Sequence, residues 1–348
     1  MNQLQKRLQK LNEVKILIIR LKPLGDTVLI SPIFRNIKKL YPEAKIDVVI
    51  YSVFADVIKN NPYIDNVIIL KRKSLSPIFY LIKSLFRRYD VIIDYINTPL
   101  SAAIALFNSA DIRIGNYKKR NFFFTHRLRN SECVYSTVRN LRKLEPLGLS
   151  DFSDYLPDLY LDEKDIARAD NFLHGLPVEK GIIGLFVSSK TPSKQYPVEY
   201  FASLGTLIAK NTPYHILFLC GRDDMHAYSV LKELACKEEK IHIRKPDTTL
   251  GEFSALISRL KFFIANDSGP KHIATAFNIP TLTIFSTSTE KMWNPPDIRR
   301  FPVIRKKIDC APCHKAECPL NTMKCMKDLH PEEVFSVFEK AINIVNAM

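Results

Sequence analysis

Glycine is scarce in this sequence, ten residues in 348, and tryptophan occurs once. No G-x-G-x-x-G follows an apolar run in the first half, which excludes a dinucleotide fingerprint there. The loop where one would be sought, RLKPLGDTVLISPIF over 20–34, carries a single Gly-Asp pair, Gly25 and Asp26. No run approaches 18 uncharged apolar residues, which excludes a membrane-spanning helix of ordinary kind. The N-terminus, MNQLQKRLQKLNEV, lacks the continuous apolar core of a secretory leader. These absences lead to the expectation of a soluble, cytosolic chain.

Acidic residues are also in deficit, 36 against 51 basic ones, for a net charge of +15. Such an excess favours anionic partners, namely nucleic acid, phosphorylated small molecules or an acidic membrane face. The basic residues are scattered, with local concentrations at 71–73, 87–88, 118–120 and 299–307. No aromatic and basic cluster marks a recognisable nucleic-acid module, so nucleic acid is not an expected partner. Near the N-terminus Leu4, Leu8 and Leu11 share a helical face, with Lys6, Arg7 and Lys10 elsewhere, a pattern open to a membrane-surface helix or to a solvated one.

What is present is apolar periodicity, with hydrophobic residues at 46% of the chain. Short β-branched runs, KILIIRL (15–21), KIDVVIY (45–51), NVIIL (66–70) and DVIIDY (90–95), alternate with segments of helical period such as Ile30, Ile33, Phe34, Ile37 and Leu40. The pattern restarts with IIGLFV (182–187), YHILFL (214–219), KFFIAN (261–266) and TLTIF (281–285). Strand, helix, strand in that order means a parallel sheet covered by helices, here twice. The expected domains are 1–160, a proline- and acid-rich linker at 161–180, and 181–329. A last helix, 330–348, is expected to pack back on the first domain.

Ligands of doubly wound sheets gather outside the carboxyl ends of the strands. In IANDSGPKHIATAF (264–277) Ser268 can cap a helix, Gly269 permits close backbone approach and Pro270 suits the first helical position. The helix start is an anion site suited to phosphate, with His272 one turn in. Asp267 would repel phosphate, so it accepts hydrogen bonds from sugar hydroxyls or ties down the loop; a well-capped helix without ligand is the alternative. The loop SSKTPSKQYPVEYF (188–201) offers Ser188, Ser189, Lys190 and Lys194 to a diphosphate. In CGRDDMH (220–226), Gly221 and Asp223 can meet a base or ribose. Asp26 is open to two readings, a carboxylate projecting from the end of the first strand or an N-cap of the next helix. Cys310, Cys313, Cys318 and Cys325 form C-x2-C-x4-C-x6-C, which admits zinc, an iron–sulfur cluster, disulfides or reduced structural thiols.

These residues carry a resemblance. K-I-L-I-I-R-L-x-x-L-G-D-x-V-L-x-x-P, P-S-K-Q-Y-P, N-D-S-G-P-x-H-I-A-x-A and P-T-L-T-I-F, in that order, resemble the lipopolysaccharide heptosyltransferases of glycosyltransferase family 9, as does the cysteine-rich tail. The resemblance spans 14–334 and implies a GT-B fold, two Rossmann-like domains facing each other across a cleft. It implies an inverting, metal-independent transfer of heptose from ADP-heptose to a lipid A and Kdo acceptor at the cytoplasmic face of the inner membrane. Asp26 is then the general base, Lys194 the diphosphate contact, and Asp267, Ser268, Gly269 and His272 the phosphate and sugar site. Lys22, Gly25 and Arg120 become acceptor contacts. The chain departs from the family at FSTSTEKMW (285–293), where F-G-P-T-D-P-x-x-W is usual, and at FVSSK (186–190). Those departures leave open another nucleotide sugar, in core or capsule assembly, or a non-catalytic sugar-nucleotide binder.

Overall fold

The apolar runs become two parallel sheets in a computed structural model that describes residues 3–72, 74–84, 87–116, 121–128, 133–176 and 180–347. The first is built from β1 (Lys15–Arg20), β2 (Lys45–Tyr51), β3 (Asn66–Leu70), β4 (Val91–Asp94), β5 (Ile112–Asn116) and β6 (His126–Leu128), in the order β3-β2-β1-β4-β5-β6. The second comprises β7 (Ile182–Phe186), β8 (His215–Leu219), β9 (Ile241–Ile243), β10 (Phe262–Asn266), β11 (Thr281–Ile284) and β12 (Val303–Ile304), in the order β12-β11-β10-β7-β8-β9. Counted from its own first strand, each sheet has the same doubly wound order. The order reverses between β1 and β4 and between β7 and β10, the places where such sheets receive ligands.

Contacts divide the chain into two units, Met1–Tyr160 and Leu161–Met348. The central strands are apolar on both faces, as helices on each side require. In the first unit Ile33, Phe34 and Ile37 of the helix Pro32–Leu40 are buried, with Lys38 and Lys39 near its end. The acid-rich residues before the boundary belong to this unit. Arg35 donates to Asp154 Oδ1 at 2.6 Å and to Asp158 Oδ2 at 2.7 Å, and its guanidinium with Lys39 holds the Asp154 carboxyl down at about 2.

Two expectations are corrected. Residues 161–180 are not simply a linker: they hold the helix Glu163–His174, which packs on the helix Leu250–Ser258. At that contact Thr249 Oγ1 donates to Asp165 Oδ1 at 3.1 Å, and a Cβ on Gly251 would lie 1.9 Å from Asp165 Oδ2, so only glycine admits the carboxylate. The last helix, Pro331–Ala347, packs on the helix Val198–Asn211 of the second unit. Its stripe Val334, Phe338, Ala341 and Ile342 is buried there, with the Phe338 ring edge-on to Phe262 at 5.3 Å. Near the N-terminus the helix Gln3–Leu8 turns Leu8 into the protein, 1% exposed, and Arg7 pairs with Asp111. Of its apolar face, Leu8 is buried, Leu4 is half-buried and Leu11, beyond the helix, is exposed.

Candidate active site

In the first unit β1 ends in a cation. Arg20 is 3% exposed, because it closes a strand buried on both faces. A buried guanidinium must be paired, and it is: one terminal nitrogen donates to the Tyr95 carbonyl at 2.7 Å, the other to Asp26 Oδ1 at 2.5 Å, and Nε to the Asp26 carbonyl at 3.1 Å. Burial pulls the Arg20 guanidinium down, and Asp26 opposes that shift. Arg139, from the helix Ser136–Leu141, is likewise pulled down by burial and held up by Asp26. Asp26 therefore faces two guanidinium groups, while its side chain stays 25% exposed.

Asp26 is not an N-cap. It is the third residue of the five-residue helix Leu24–Val28, whose cap position is Pro23. Gly25 is helical too; the left-handed glycines among the described residues are Gly148 and Gly181. The turn out of β1 is thus made by the residues before Gly25. Lys22 lies in that turn, half-exposed, its carbonyl accepting from Thr27 Oγ1 at 3.3 Å.

In the second unit the arrangement centres on a buried carboxylate. Asp267 follows β10 and has a side chain only 4% exposed. Lys194 Nζ donates to its Oδ2 at 2.6 Å, and the Ser288 hydroxyl donates to the same oxygen. Lys271 Nζ lies 2.7 Å from Oδ1 and 4.2 Å from the centre of the Phe285 ring. Burial alone would raise the Asp267 carboxyl; the two ammonium groups override it and hold it well below the usual range. Burial brings the Lys271 ammonium down to about 8 against the pull of Asp267. Burial, then the Lys271 charge, push the His272 imidazole down to about 3, so it is neutral at pH 7. Through these contacts Asp267 ties the loop.

Ser268 occupies the cap position of the helix Gly269–Ala276, but its hydroxyl makes no capping bond and is buried without a partner, as is His272 Nδ1. Buried polar atoms are normally satisfied, so both are available to a bound group beside the first amides of that helix. Asn266 braces the neighbouring loop, accepting from the Tyr196 amide at 3.1 Å and donating to the Val187 carbonyl at 3.0 Å. The Ser188 hydroxyl accepts from the Gly221 amide at 2.8 Å and donates to Asp224 at 2.7 Å. The loops carrying Ser188 and Gly221 are therefore joined directly. Asp224, not Asp223, caps the following helix, which leaves Asp223 exposed. Ser189 Oγ donates to the Thr191 carbonyl at 3.1 Å, and Lys190 is exposed. Arg120 lies outside the described residues.

The divergent 285–293 segment has work of its own. Besides Ser288 on Asp267, the Ser286 hydroxyl donates to the Ser193 carbonyl at 2.8 Å. The cysteine-rich tail supports the same loops: Ser193 Oγ donates to the Lys315 carbonyl at 2.6 Å, and the His314 amide to the Thr287 carbonyl at 2.8 Å. Cys310, Cys313, Cys318 and Cys325 are free thiols, and no group of three or more metal-ligating side chains among the described residues is placed to hold an ion. Burial and the three other cysteines push the Cys325 thiol up.

Sequence reasoning missed Arg20, Arg139, Lys271 and Ser288. Two had signals: Arg20 ends an otherwise apolar run and so required a partner, and Lys271 stands four residues after Asp267, the spacing of a helical ion pair.

A family model described as glycosyltransferase family 9 (heptosyltransferase) matches residues 78–324. The chain belongs to glycosyltransferase family 9. Family 9 lipopolysaccharide heptosyltransferase 3 of Escherichia coli is 26% identical over 299 residues, covering 78% of this chain and 83% of that one. Among solved structures, the fold is similar to a family 9 glycosyl transferase from Veillonella parvula, with TM-score 0.82, 23% identity and coverage of 95% and 97% of the two chains. It is similar as well to E. coli ADP-heptose lps heptosyltransferase II, with TM-score 0.77, 20% identity and coverage of 95% and 99%. The chain is a glycosyltransferase, and its two doubly wound units are those of the GT-B fold expected from the motifs.

Proposed function

We propose that this family 9 glycosyltransferase moves heptose from ADP-heptose to a hydroxyl of the lipopolysaccharide inner core, a Kdo or heptose acceptor on lipid A, with inversion and without a metal. The observation that carries the proposal is the Lys194–Asp267–Lys271 cluster at the start of the helix Gly269–Ala276. A leaving ADP needs its growing negative charge received, and an ammonium beside free helix amides does that. Lys194, 22% exposed, is the cation within reach of a diphosphate; Lys271, buried, keeps Asp267 ionised and the loop in place. Ser268 and His272 face phosphate and sugar with their unpartnered atoms. Ser188, Ser189, Lys190, Gly221 and Asp223 form the nucleoside side.

On the acceptor side Asp26 is the base. Its Oδ1 is held by Arg20, and Oδ2 takes the hydroxyl proton as the acceptor oxygen attacks the anomeric carbon. The bond from that carbon to the ADP oxygen breaks, and the electron pair leaves with ADP. Lys22 and Gly25 border the acceptor, and Arg120 is proposed to reach it. Such an acceptor lies in a membrane leaflet, so the enzyme works peripherally at the cytoplasmic face; no helix among the described residues is long and apolar enough to cross a membrane.

A second reading keeps the reaction and changes the sugar. The 285–293 segment departs from the family where Ser288 touches Asp267, so the pocket for the donor sugar is altered. Incubating the protein with ADP-heptose and truncated core acceptors, then weighing the products, tests both. A product heavier by one heptose supports the first reading; product only from another nucleotide sugar establishes the second. Absence of product from every donor, with folded protein, overturns both.

A further inference from the structure

A helix lying on a sheet normally buries one stripe and turns a polar one to water. The helix Ser76–Ser84 is apolar on both sides. Tyr80 and Leu81 enter the core of the first unit. Leu75, Ile78, Phe79 and Ile82, spaced i, i+3, i+4, i+7, are 63%, 54%, 66% and 55% exposed. The Phe79 amide donates to the Leu75 carbonyl at 3.0 Å, so Leu75 continues the same turn. The helix Pro99–Phe107 packs beside it and ends in Leu106 and Phe107, both exposed. A contiguous exposed apolar stripe of this kind marks an interaction surface.

The surrounding charge points to the partner. From Asn66 to Tyr89 the sequence has six Lys and Arg and no Asp or Glu. Beyond the helix, Arg87 and Arg88 line a cavity of about 580 Å³ together with Lys15, Lys45, Asp47 and Tyr89, at the amino ends of the strands. The carboxylates there are engaged: Asp47 accepts from Tyr89 Oη at 2.6 Å and from Asn66 Nδ2 at 2.8 Å, Asp65 pairs with Lys45 at 3.1 Å, and Glu13 lies 3.9 Å from Lys15. A protein partner for so apolar a stripe would face a rim with an excess of positive charge. A bilayer with anionic headgroups matches both features, since acyl chains receive the stripe and phosphates the cations.

We propose that this flank of the first unit docks on a bilayer surface rich in anionic phospholipid. Leu75, Ile78, Phe79 and Ile82 enter the acyl boundary, and Arg87 and Arg88 receive headgroup phosphates. The proposal deepens the reading of a leaflet-held acceptor, naming the surface that meets the leaflet. It also moves membrane contact away from the N-terminal helix, whose Leu8 is buried.

The test is sedimentation of the full-length protein with phosphatidylcholine vesicles, with and without phosphatidylglycerol, in the absence of sugar nucleotide. Binding is expected to be at least about tenfold tighter with phosphatidylglycerol. Replacing Ile78→Ser together with Phe79→Ser should weaken it by about tenfold or more, with circular dichroism and melting unchanged because both side chains are exposed. The pair Arg87→Gln and Arg88→Gln should remove the preference for phosphatidylglycerol. Lys6→Gln with Lys10→Gln, in and just after the N-terminal helix, should leave binding as it was. Equal binding to both vesicle types, or binding insensitive to the Ile78 and Phe79 changes, overturns the proposal. So does a dimer in sedimentation equilibrium that the same changes dissociate, since a second copy would then cover the stripe. Transfer to a water-soluble core oligosaccharide, assayed without vesicles, reports the proposed reaction separately, so either reading can fail alone.

Discussion

The two units share one topology and carry opposite charge on strands that flank its switch point, the first strand in one unit and the fourth in the other. At the end of β1 a buried cation, Arg20, holds a carboxylate whose side chain is 25% exposed. After β10 a buried carboxylate, Asp267, holds two ammonium groups, of which Lys194 is 22% exposed. The first pair turns an anion outward and the second a cation. The fold fixes where a ligand meets the sheet, and the sign of the buried partner decides what each unit can do there. An outward carboxylate can take a proton; an outward ammonium can receive a phosphate.

The comparison can be broken most sharply at Asp26. Asp26→Asn keeps the shape and the Arg20 contact but removes the proton acceptor, so turnover should fall by about 10²- to 10⁴-fold with ADP affinity unchanged. Near-normal turnover would show that the outward carboxylate is not the base. Asp267→Asn should act through the fold instead. It leaves Lys271 buried without its counter-charge, which costs about 3–5 kcal/mol, read as a fall in the urea midpoint. Asp26→Asn also leaves the buried Arg20 without a full counter-charge and should lower the midpoint too, so an unchanged midpoint in Asp267→Asn is the result that would show Lys271 does not depend on Asp267. Lys194→Met should come third, weakening ADP binding by about 10- to 100-fold, the worth of a charge-assisted hydrogen bond. Isothermal titration of ADP measures it, and an unchanged affinity would leave Lys194 as a brace for Asp267 alone.

Much of this was readable beforehand, for a physical reason. Short apolar runs such as KILIIRL and KFFIAN, bounded by turn signals, read as interior strands, and they became β1 and β10. The short strands β5, β6, β9 and β12 were not foreseen. Three of them are hardly longer than a turn, and IRIGN in β5 mixes in Arg, Gly and Asn. Asp26, Lys194, Asp267, Ser268 and His272 could be singled out because each follows a strand in a region of turn residues. Of their partners, Arg139 and Ser288 could not. Arg20 and Asp26 are near in sequence, but Tyr95, which shares the guanidinium, is 75 residues away from Arg20, and Ser288 reaches Asp267 across 21 residues. A buried charge is intelligible only with the group that neutralises it, and that group is brought by topology.

The smallest effect concerns His272. Burial and Lys271 lower its imidazole to about 3, against about 6.5 in an unfolded chain. Between those values the unfolded state binds the extra proton, so this histidine makes stability rise with pH from about 3 to 6.5 and contributes no pH dependence above that. It is therefore a neutral hydrogen-bonding group at working pH, unlike Lys194 beside it. His272→Gln should leave the shape of the kcat/KM profile between pH 6.5 and 8 unchanged while changing its height. The same variant should lose less stability than the parent protein when pH is lowered from 6.5 toward 4, read by melting temperature. A limb in the profile that disappears with His272→Gln would mean that the imidazole titrates in the active enzyme, and the second unit's site would then hold a switchable cation in place of a neutral donor.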